Sequence, residues 1–273
     1  MIKKVVMISA LGCLAFLMAA CLPGSSDPAA PFYPTYTAIA QGLIDLANTA
    51  TAQAAQSAAP AATLTVPPPA GGTENTQQPD GTTKYSDYDA GFELTLPAGW
   101  IGVRPGAQEF NDVLKSEGGK NKALQAQMTQ DQQGYEPVKD RYYVYKADSS
   151  GTDQSLLAFG KLAWSAADST AVDQNSLGNL VQSLEMSQAM PGLRVVASNV
   201  ITNGHGVPVI VIGANWTSQA ADGTLTPLYI NMIFFKPTDS STAHLVLTSD
   251  KEQHSAISPD VDSIIQSIKL VKQ

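Results

Sequence analysis

Hydrophobic periodicity starts abruptly in this chain, and the place where it starts fixes what the chain can fold. In Gly91-Phe92-Glu93-Leu94-Thr95-Leu96-Pro97-Ala98-Gly99-Trp100, Phe92, Leu94 and Leu96 alternate with Glu93 and Thr95. That period of two gives a strand with one apolar face. Pro97 has no N–H for a sheet ladder and Gly99 accepts turn angles, so the strand ends there. Trp100-Ile101-Gly102-Val103 opens a second run, and the whole reads as a hairpin or corner with an aromatic anchor.

Before this stretch the sequence has a different character. Residues 22–83 are rich in Pro, Gly, Ser, Ala and Thr, including Pro67-Pro68-Pro69 and Gly71-Gly72, and read as a low-complexity tether. Within it Ile39, Leu43, Leu46 and Ala50 fall about one helical turn apart, which predicts at most a weak helix over 35–59 with a narrow, mostly Ala face. That helix reads as a solvated spacer or as a self-associating stalk. The globular region is then 84–273, the size of one domain.

The first residues carry an address. Lys3 and Lys4 precede an uncharged apolar run from Val5 to Ala20, a secretory signal that is short for a membrane span. Leu17-Met18-Ala19-Ala20-Cys21 resembles the bacterial lipobox, although Met18 stands where Leu is most frequent. The resemblance implies cleavage of residues 1–20 and lipidation of Cys21 by a diacylglycerol thioether, with acylation of the new N-terminus by a fatty acid such as palmitate. Two or three acyl chains hold a protein stably where one is marginal. The alternative is an uncleaved N-terminal anchor with Cys21 incidental. The expected location is the extracytoplasmic face of a bacterial membrane.

Charge and cysteine content exclude several function classes. With 24 Asp+Glu against 16 Lys+Arg the net charge is −8, and no basic cluster is present to neutralise phosphates, so no nucleic-acid partner is expected. An acidic surface also argues against attraction to anionic lipid headgroups. Both cysteines, Cys13 and Cys21, precede the globular region, which therefore has no disulfide, thiol nucleophile or cysteine metal site.

Along the globular region, Phe110, Val113 and Leu114 predict a short helix broken at Gly118-Gly119, with a second piece around Ala123-Leu124 and Met128. Arg141–Lys146 and Ser155–Trp164 read as strands joined by a turn over Asp148–Asp153. Leu177, Leu180, Val181 and Leu184 predict a helix starting at Asp173 and ended by Pro191-Gly192. Strands follow at Leu193–Thr202, Val207–Trp216, Pro227–Lys236 and Ala243–Ser249, the first two joined by a tight turn at Asn203-Gly204-His205-Gly206. Ser258 as N-cap and Pro259 at the first helical position predict a closing helix with Val261, Ile264, Ile265 and Ile268 on one face. Strands, helix, strands, helix in that order predict an α+β fold with a central antiparallel sheet. Runs apolar on both faces, such as Val209-Ile210-Val211-Ile212, predict helices flanking it.

Three of these stretches carry a resemblance. Tyr85 to Trp100, with its Gly91-Phe92 and Leu96-Pro97-Ala98-Gly99-Trp100, resembles the opening of PsbP-like domains. The Asn203-Gly204-His205 turn before an apolar strand and the closing Ile264–Lys269 helix match the same pattern, over Tyr85 to Val271 as a whole. The resemblance implies an antiparallel sheet flanked by helices, a PsbP-like α/β/α sandwich, and a binding, assembly or scaffolding role. It implies no catalytic residues, because the shared positions are turn and core residues.

The chemistry-bearing residues are sparse. His205, His244 and His254 are the only histidines, and no pair has the helical spacing of a metal site, so no metal and no cofactor is implied. Neither a Gly-x-Ser-x-Gly elbow nor a phosphate-cradling loop occurs. Glu93 and Asp89 read as solvated acids, and Asn215-Trp216-Thr217 as a coincidental glycosylation pattern with Trp216 in the core. Tyr142, Tyr143 and Tyr145 form the densest aromatic cluster; strand propensity explains them, and so does a binding surface pairing apolar area with polar tips. If they bind, the alternation places Tyr142 opposite Tyr143 and Tyr145, with one set buried and the other open. The sequence thus points to a non-catalytic lipoprotein module for a protein or small ligand. The alternatives are a hydrolase-like enzyme with a dispersed site, and a structural envelope protein.

Overall fold

A computed structural model describes residues 72–148, 155–168, 170–219 and 223–271. Cys21, the 35–59 segment and most of the Asp148–Asp153 turn lie outside the described residues. The described chain runs β1 (Thr73–Gln77), β2 (Thr83–Asp87), β3 (Phe92–Leu96), β4 (Ile101–Val103), α1 (Gln108–Ser116), α2 (Lys122–Gln133), β5 (Asp140–Ala147) and β6 (Leu156–Ser165). It continues with α3 (Gln174–Glu185), β7 (Arg194–Thr202), β8 (Pro208–Gln219), β9 (Leu225–Thr238), β10 (Ser241–Asp250), α4 (His254–Ser267) and β11 (Lys269–Leu270).

The strands make two antiparallel sheets. Seven pair in the order β4-β5-β6-β10-β9-β8-β7, and four in the order β1-β2-β3-β11. The fold is therefore α+β, with a central antiparallel sheet covered on both faces. Alternation along each strand assigns the faces. On the first face, Tyr142, Leu162, Val209, Ile233, Phe235 and Leu245 form one core with Phe92, Leu94 and Leu96 of the small sheet and Val261, Ile264 and Ile265 of α4. On the second, Leu177, Leu180 and Leu184 of α3 meet Ile210, Ile212, Ile230 and Met232. Beside them Phe110 of α1 and Leu124 and Met128 of α2 cover Tyr143 and Tyr145. Each such side chain contributes roughly 1.5–3 kcal/mol when fully buried.

The sequence motifs turn out to be clasps. Between β3 and β4 the chain turns a corner from one sheet to the other, with Gly99 at φ 81° and Trp100 N–H bonded to Pro97 O. The Trp100 indole then donates to Asp260 Oδ2 of α4 at 2.8 Å. In the β7–β8 turn, Asn203 Nδ2 donates to the carbonyls of Ile265 and Ile268 at 2.9 and 2.7 Å, which satisfies the end of α4. Its Oδ1 accepts from His205 and Val207 N–H, so one side chain shapes the turn and ties it to the helix.

Several boundaries differ from the sequence expectation. The closing helix, expected to include Ile264–Lys269, ends at Ser267, with Ile268 as an extended C-cap and Lys269–Leu270 pairing with β3 as β11. Thr73–Gln77, inside the range assigned to the tether, is a strand, so the ordered fold starts before Lys84. The strand is mostly exposed and polar, hence without hydrophobic periodicity; backbone pairing to β2, with Asn75 Nδ2 donating to Gly102 O and Arg104 Nη1 to Thr73 O, holds it. The closing helix starts at His254, one turn ahead of Ser258, with Pro259 inside it. The N–H groups of Ala256 and Ile257 already bond to Gln253 O, so the helix is under way before the proline removes a donor.

Candidate functional site

The tyrosine strand β5 is interior on both sides. Tyr142 stacks on Tyr85 with ring centroids 4.1 Å apart and donates its hydroxyl to Asn75 Oδ1 at 2.6 Å. Across the sheet, Tyr143 donates to Asp140 Oδ2 at 2.7 Å and Tyr145 to Asp131 Oδ2 at 2.6 Å. Gln127 Nε2 reaches the other Asp131 oxygen at 3.0 Å, and Lys161 Nζ stands 2.8 Å from Asp140 Oδ1. The expected alternation holds, with Tyr142 opposite Tyr143 and Tyr145. The expected open set does not: Tyr142, Tyr143 and Tyr145 are at most 1% exposed, because the small sheet covers one face and α1 and α2 the other. These residues are core, not a binding surface.

Burial dominates the electrostatics of that cluster. It raises all three phenols above the ordinary tyrosine value, and pushes the Asp131 carboxyl up to about 6. His244, on the same face, is pushed down to about 4 by burial and by the Lys161 ammonium. The three hydroxyls and the Asp131 and Asp140 carboxylates meet one another, Asn75, Gln127 and Lys161, which is the pattern of a structural network.

The histidines do not converge. His205 sits in the β7–β8 turn, His244 on the second face of the sheet, and His254 at the start of α4 against the first. Among the described residues no group of three His, Cys, Asp or Glu side chains is placed to hold a metal ion. Glu93 pairs with Lys84 at 2.7 Å and Lys269 at 3.4 Å, and Asp89 accepts from Gly72 N–H, so the two acids serve separate contacts. Trp216 is buried, its indole donating to Pro191 O.

A second polar cluster lies on the first face, toward the start of β9. Register lines up Ser249 of β10, Tyr229 of β9 and Asn215 of β8 in one cross-strand row, which Arg194 of β7 closes at the sheet edge. In the next row Leu247 and Gly213 flank Asn231. Side chains directly opposite on one face have Cβ atoms about 5 Å apart, so these groups converge. A β-carbon on Gly213 would collide with the Tyr229 hydroxyl, so the glycine is what lets the phenol lie across the sheet. His254 stacks on the Tyr229 ring, centroids 3.5 Å apart and planes 16° from parallel.

Four polar atoms of this cluster, Asn215 Oδ1, Asn231 Nδ2, Ser249 Oγ and His254 Nδ1, are buried with no hydrogen-bond partner among the described residues. Asn231 is 6% exposed and Ser249 2%, and they form the floor; Tyr229, Asn215 and His254 are half-buried and form the rim. An unsatisfied buried polar group costs roughly 1–3 kcal/mol, and four in one place call for an explanation. Sequence reasoning missed this cluster. The available signal was Asn231 in the middle of Leu228-Tyr229-Ile230-Asn231-Met232-Ile233-Phe234, since a polar residue in a doubly covered strand is the informative exception.

No protein-family model and no curated protein matches this sequence. Among solved structures, the chain is similar to cyanobacterial PsbP (CyanoP) from Synechocystis sp. PCC 6803, at 11% identity over 70% of this chain and 93% of that one, with a TM-score of 0.40. It is also similar to LpqN of Mycobacterium tuberculosis, described as involved in cell envelope biogenesis, at 9% identity over 73% and 91% with a TM-score of 0.40. The Saccharomyces cerevisiae Ran-binding protein Mog1p aligns at 6% identity over 74% and 97%, with a TM-score of 0.42. The α+β assignment stands on strand order and register alone. No helix among the described residues is long and apolar enough to cross a membrane.

Proposed function

We propose that this chain is a non-catalytic binding protein of PsbP-like fold, held at the extracytoplasmic face of a bacterial membrane by lipid on Cys21. The observation that carries the binding role is the set of four orphaned polar atoms, three on adjacent rows of one sheet face at Asn215, Asn231 and Ser249 and the fourth on His254 of α4, which stacks on Tyr229 between them. A core built only for stability would put apolar side chains there, as it does two rows further along at Val211, Ile233 and Leu245. Binding a small ligand offsets that desolvation, and Tyr229, Asn215 and His254, each half-buried, border the cluster. The Tyr85–Trp100 and Asn203–His205 motifs support the PsbP-like assignment, and the clasps they form explain why a fold of this kind needs those residues.

Leu17–Cys21 supports the anchor. Expression of the wild-type chain should give a mature N-terminus starting at an acylated Cys21, and Cys21→Ala should leave a larger, unprocessed precursor. Mass spectrometry of the membrane fraction checks both; an unmodified Cys21 in the mature protein would sink the anchor. For the site, Asn231→Leu should weaken ligand capture by about tenfold or more and Ser249→Ala should weaken it too, both leaving the melt intact. Capture undiminished in both variants would place binding elsewhere.

A further inference from the structure

We infer that the ligand of the Tyr229 row is an uncharged, hydroxyl-rich ring, a neutral carbohydrate unit; the inference rests on the binding role proposed above for the same residues. The orphaned atoms differ in chemistry. Asn215 Oδ1 only accepts, Asn231 Nδ2 only donates, Ser249 Oγ does either, and His254 Nδ1 is an imidazole nitrogen. A carboxylate or phosphate, which only accepts, would set negative oxygen against Asn215 Oδ1. An ammonium, which only donates, would leave Asn231 Nδ2 unmatched. A hydroxyl donates and accepts from one atom and serves every member of the set, and a pyranose carries several such groups around one ring.

The surroundings fit the same class. The residues of the floor, Asn231, Leu247, Gly213 and Ser249, carry no charge, so nothing there selects an ion. Of the charged residues around it, Arg194 stands at the sheet edge and Asp250 beyond the end of the row, while Lys251, Glu252 and Asp262, the last acting on the His254 imidazole, are exposed. The stacked Tyr229–His254 pair offers an apolar slab with polar tips, which suits a ring that alternates C–H faces with hydroxyl edges. The Tyr229 hydroxyl lies where a side chain at Gly213 would stand, so a phenol tip, not an aliphatic side chain, borders Asn231 on that side.

The test uses the full chain in a detergent that bears no sugar. Glucose, galactose, mannose, N-acetylglucosamine and their neutral disaccharides are titrated by saturation-transfer NMR and calorimetry, with glucuronate and glucosamine as charged counterparts. At least one neutral sugar should bind saturably, and Asn231→Leu should weaken it by about tenfold or more, because a site built to bond hydroxyls loses discrimination when its partner is removed. Ser249→Ala and Asn215→Leu should weaken it in the same direction, with melting curves confirming that each variant folds. Absence of saturable binding across the neutral panel overturns the carbohydrate assignment. If glucuronate or glucosamine binds more tightly than every neutral sugar and depends on Asn231, the carbohydrate assignment falls and the binding role of the row stands. If some sugar binds and none of the three substitutions affects it, the row is not the site and both fall.

Discussion

Two groups of tyrosines on one sheet face opposite fates. On β5 the hydroxyls of Tyr142, Tyr143 and Tyr145 each end on an acceptor, at 2.6, 2.7 and 2.6 Å. On β9, Tyr229 lies over a glycine beside four buried polar atoms without partners. Residue type does not separate the two, and neither does membership of the sheet. Satisfaction separates them: a closed polar network rigidifies a core, whereas an open one is costly unless a ligand completes it. Aromatic density in the sequence therefore pointed to the region that stabilises the fold, and the region suited to binding contains a single tyrosine.

The sharpest way to break this contrast is truncation. Tyr145→Ala should lower stability by roughly 3–5 kcal/mol, as for large aromatics removed from a packed core. Tyr229→Ala should lower it by about 1 kcal/mol or less, since that ring is only half-buried. Chemical denaturation of the two variants checks this, and equal losses would erase the distinction.

A subtler substitution asks about polar closure alone. Tyr145→Phe keeps the ring but strands the Asp131 carboxylate, and should cost about 1–3 kcal/mol. The pH dependence then sharpens the point. Burial raises Asp131 to about 6, above its ordinary 3.8, so between those values the native state binds more protons than the unfolded chain. That group therefore favours folding increasingly as pH falls from about 6 toward 4. Burial lowers His244 from 6.5 to about 4, so there the unfolded chain binds more protons and stability is lost over nearly the same window. The two slopes oppose each other. Asp131→Asn should leave the His244 slope uncompensated, adding about 2 kcal/mol to the loss between pH 7 and pH 4. Denaturation midpoints at the two pH values measure it, and an unchanged or shallower slope would refute the assignment.

The smallest expected effect carries the most weight for the open row. Asn231→Leu removes an unsatisfied buried amide for an apolar group of similar size, and should be neutral or stabilising by up to about 1 kcal/mol. A clear loss of stability would show that the amide is satisfied in the folded protein and that the row is an ordinary core.

Much of the scaffold could be read before any coordinates. Alternation placed β3, continuous or alternating apolar runs placed β5–β10, and the Asp173 cap with its leucine spacing placed α3, because in those segments one residue's neighbours along the chain decide its environment. What could not be read depends on pairing between distant segments. β1 is polar and is defined by its ladder to β2. α2 is too polar to announce that it seals β5, yet it does so with Gln127 and Asp131 as much as with Leu124 and Met128. The Tyr229 row brings together three strands and the first residue of α4, and only register makes Asn215, Tyr229 and Ser249 neighbours. Asn203 was visible as a turn residue, but its grip on Ile265 and Ile268 spans more than sixty residues of sequence.

The polar edge strand β1 also decides how the domain responds to being pulled. Tension arriving along the chain from before residue 72 meets the β1–β2 hairpin at its open end, where Thr73 pairs with Asp87, and not at the closed turn near Gly81. An antiparallel pair pulled from its open end unzips one rung at a time, and each rung alone is weak. Here the first rungs are crosslinked sideways: Tyr88 N–H bonds to Gly72 O, the Tyr88 hydroxyl to Glu74, and the Arg104 guanidinium to Thr73 O while its other arm grips Glu109 of α1. Force entering at the N-terminal side is thus handed from a two-strand zipper to a helix and, through Asn75 and Tyr142, to the seven-stranded sheet. Arg104 acts as the cleat on which that line is made fast.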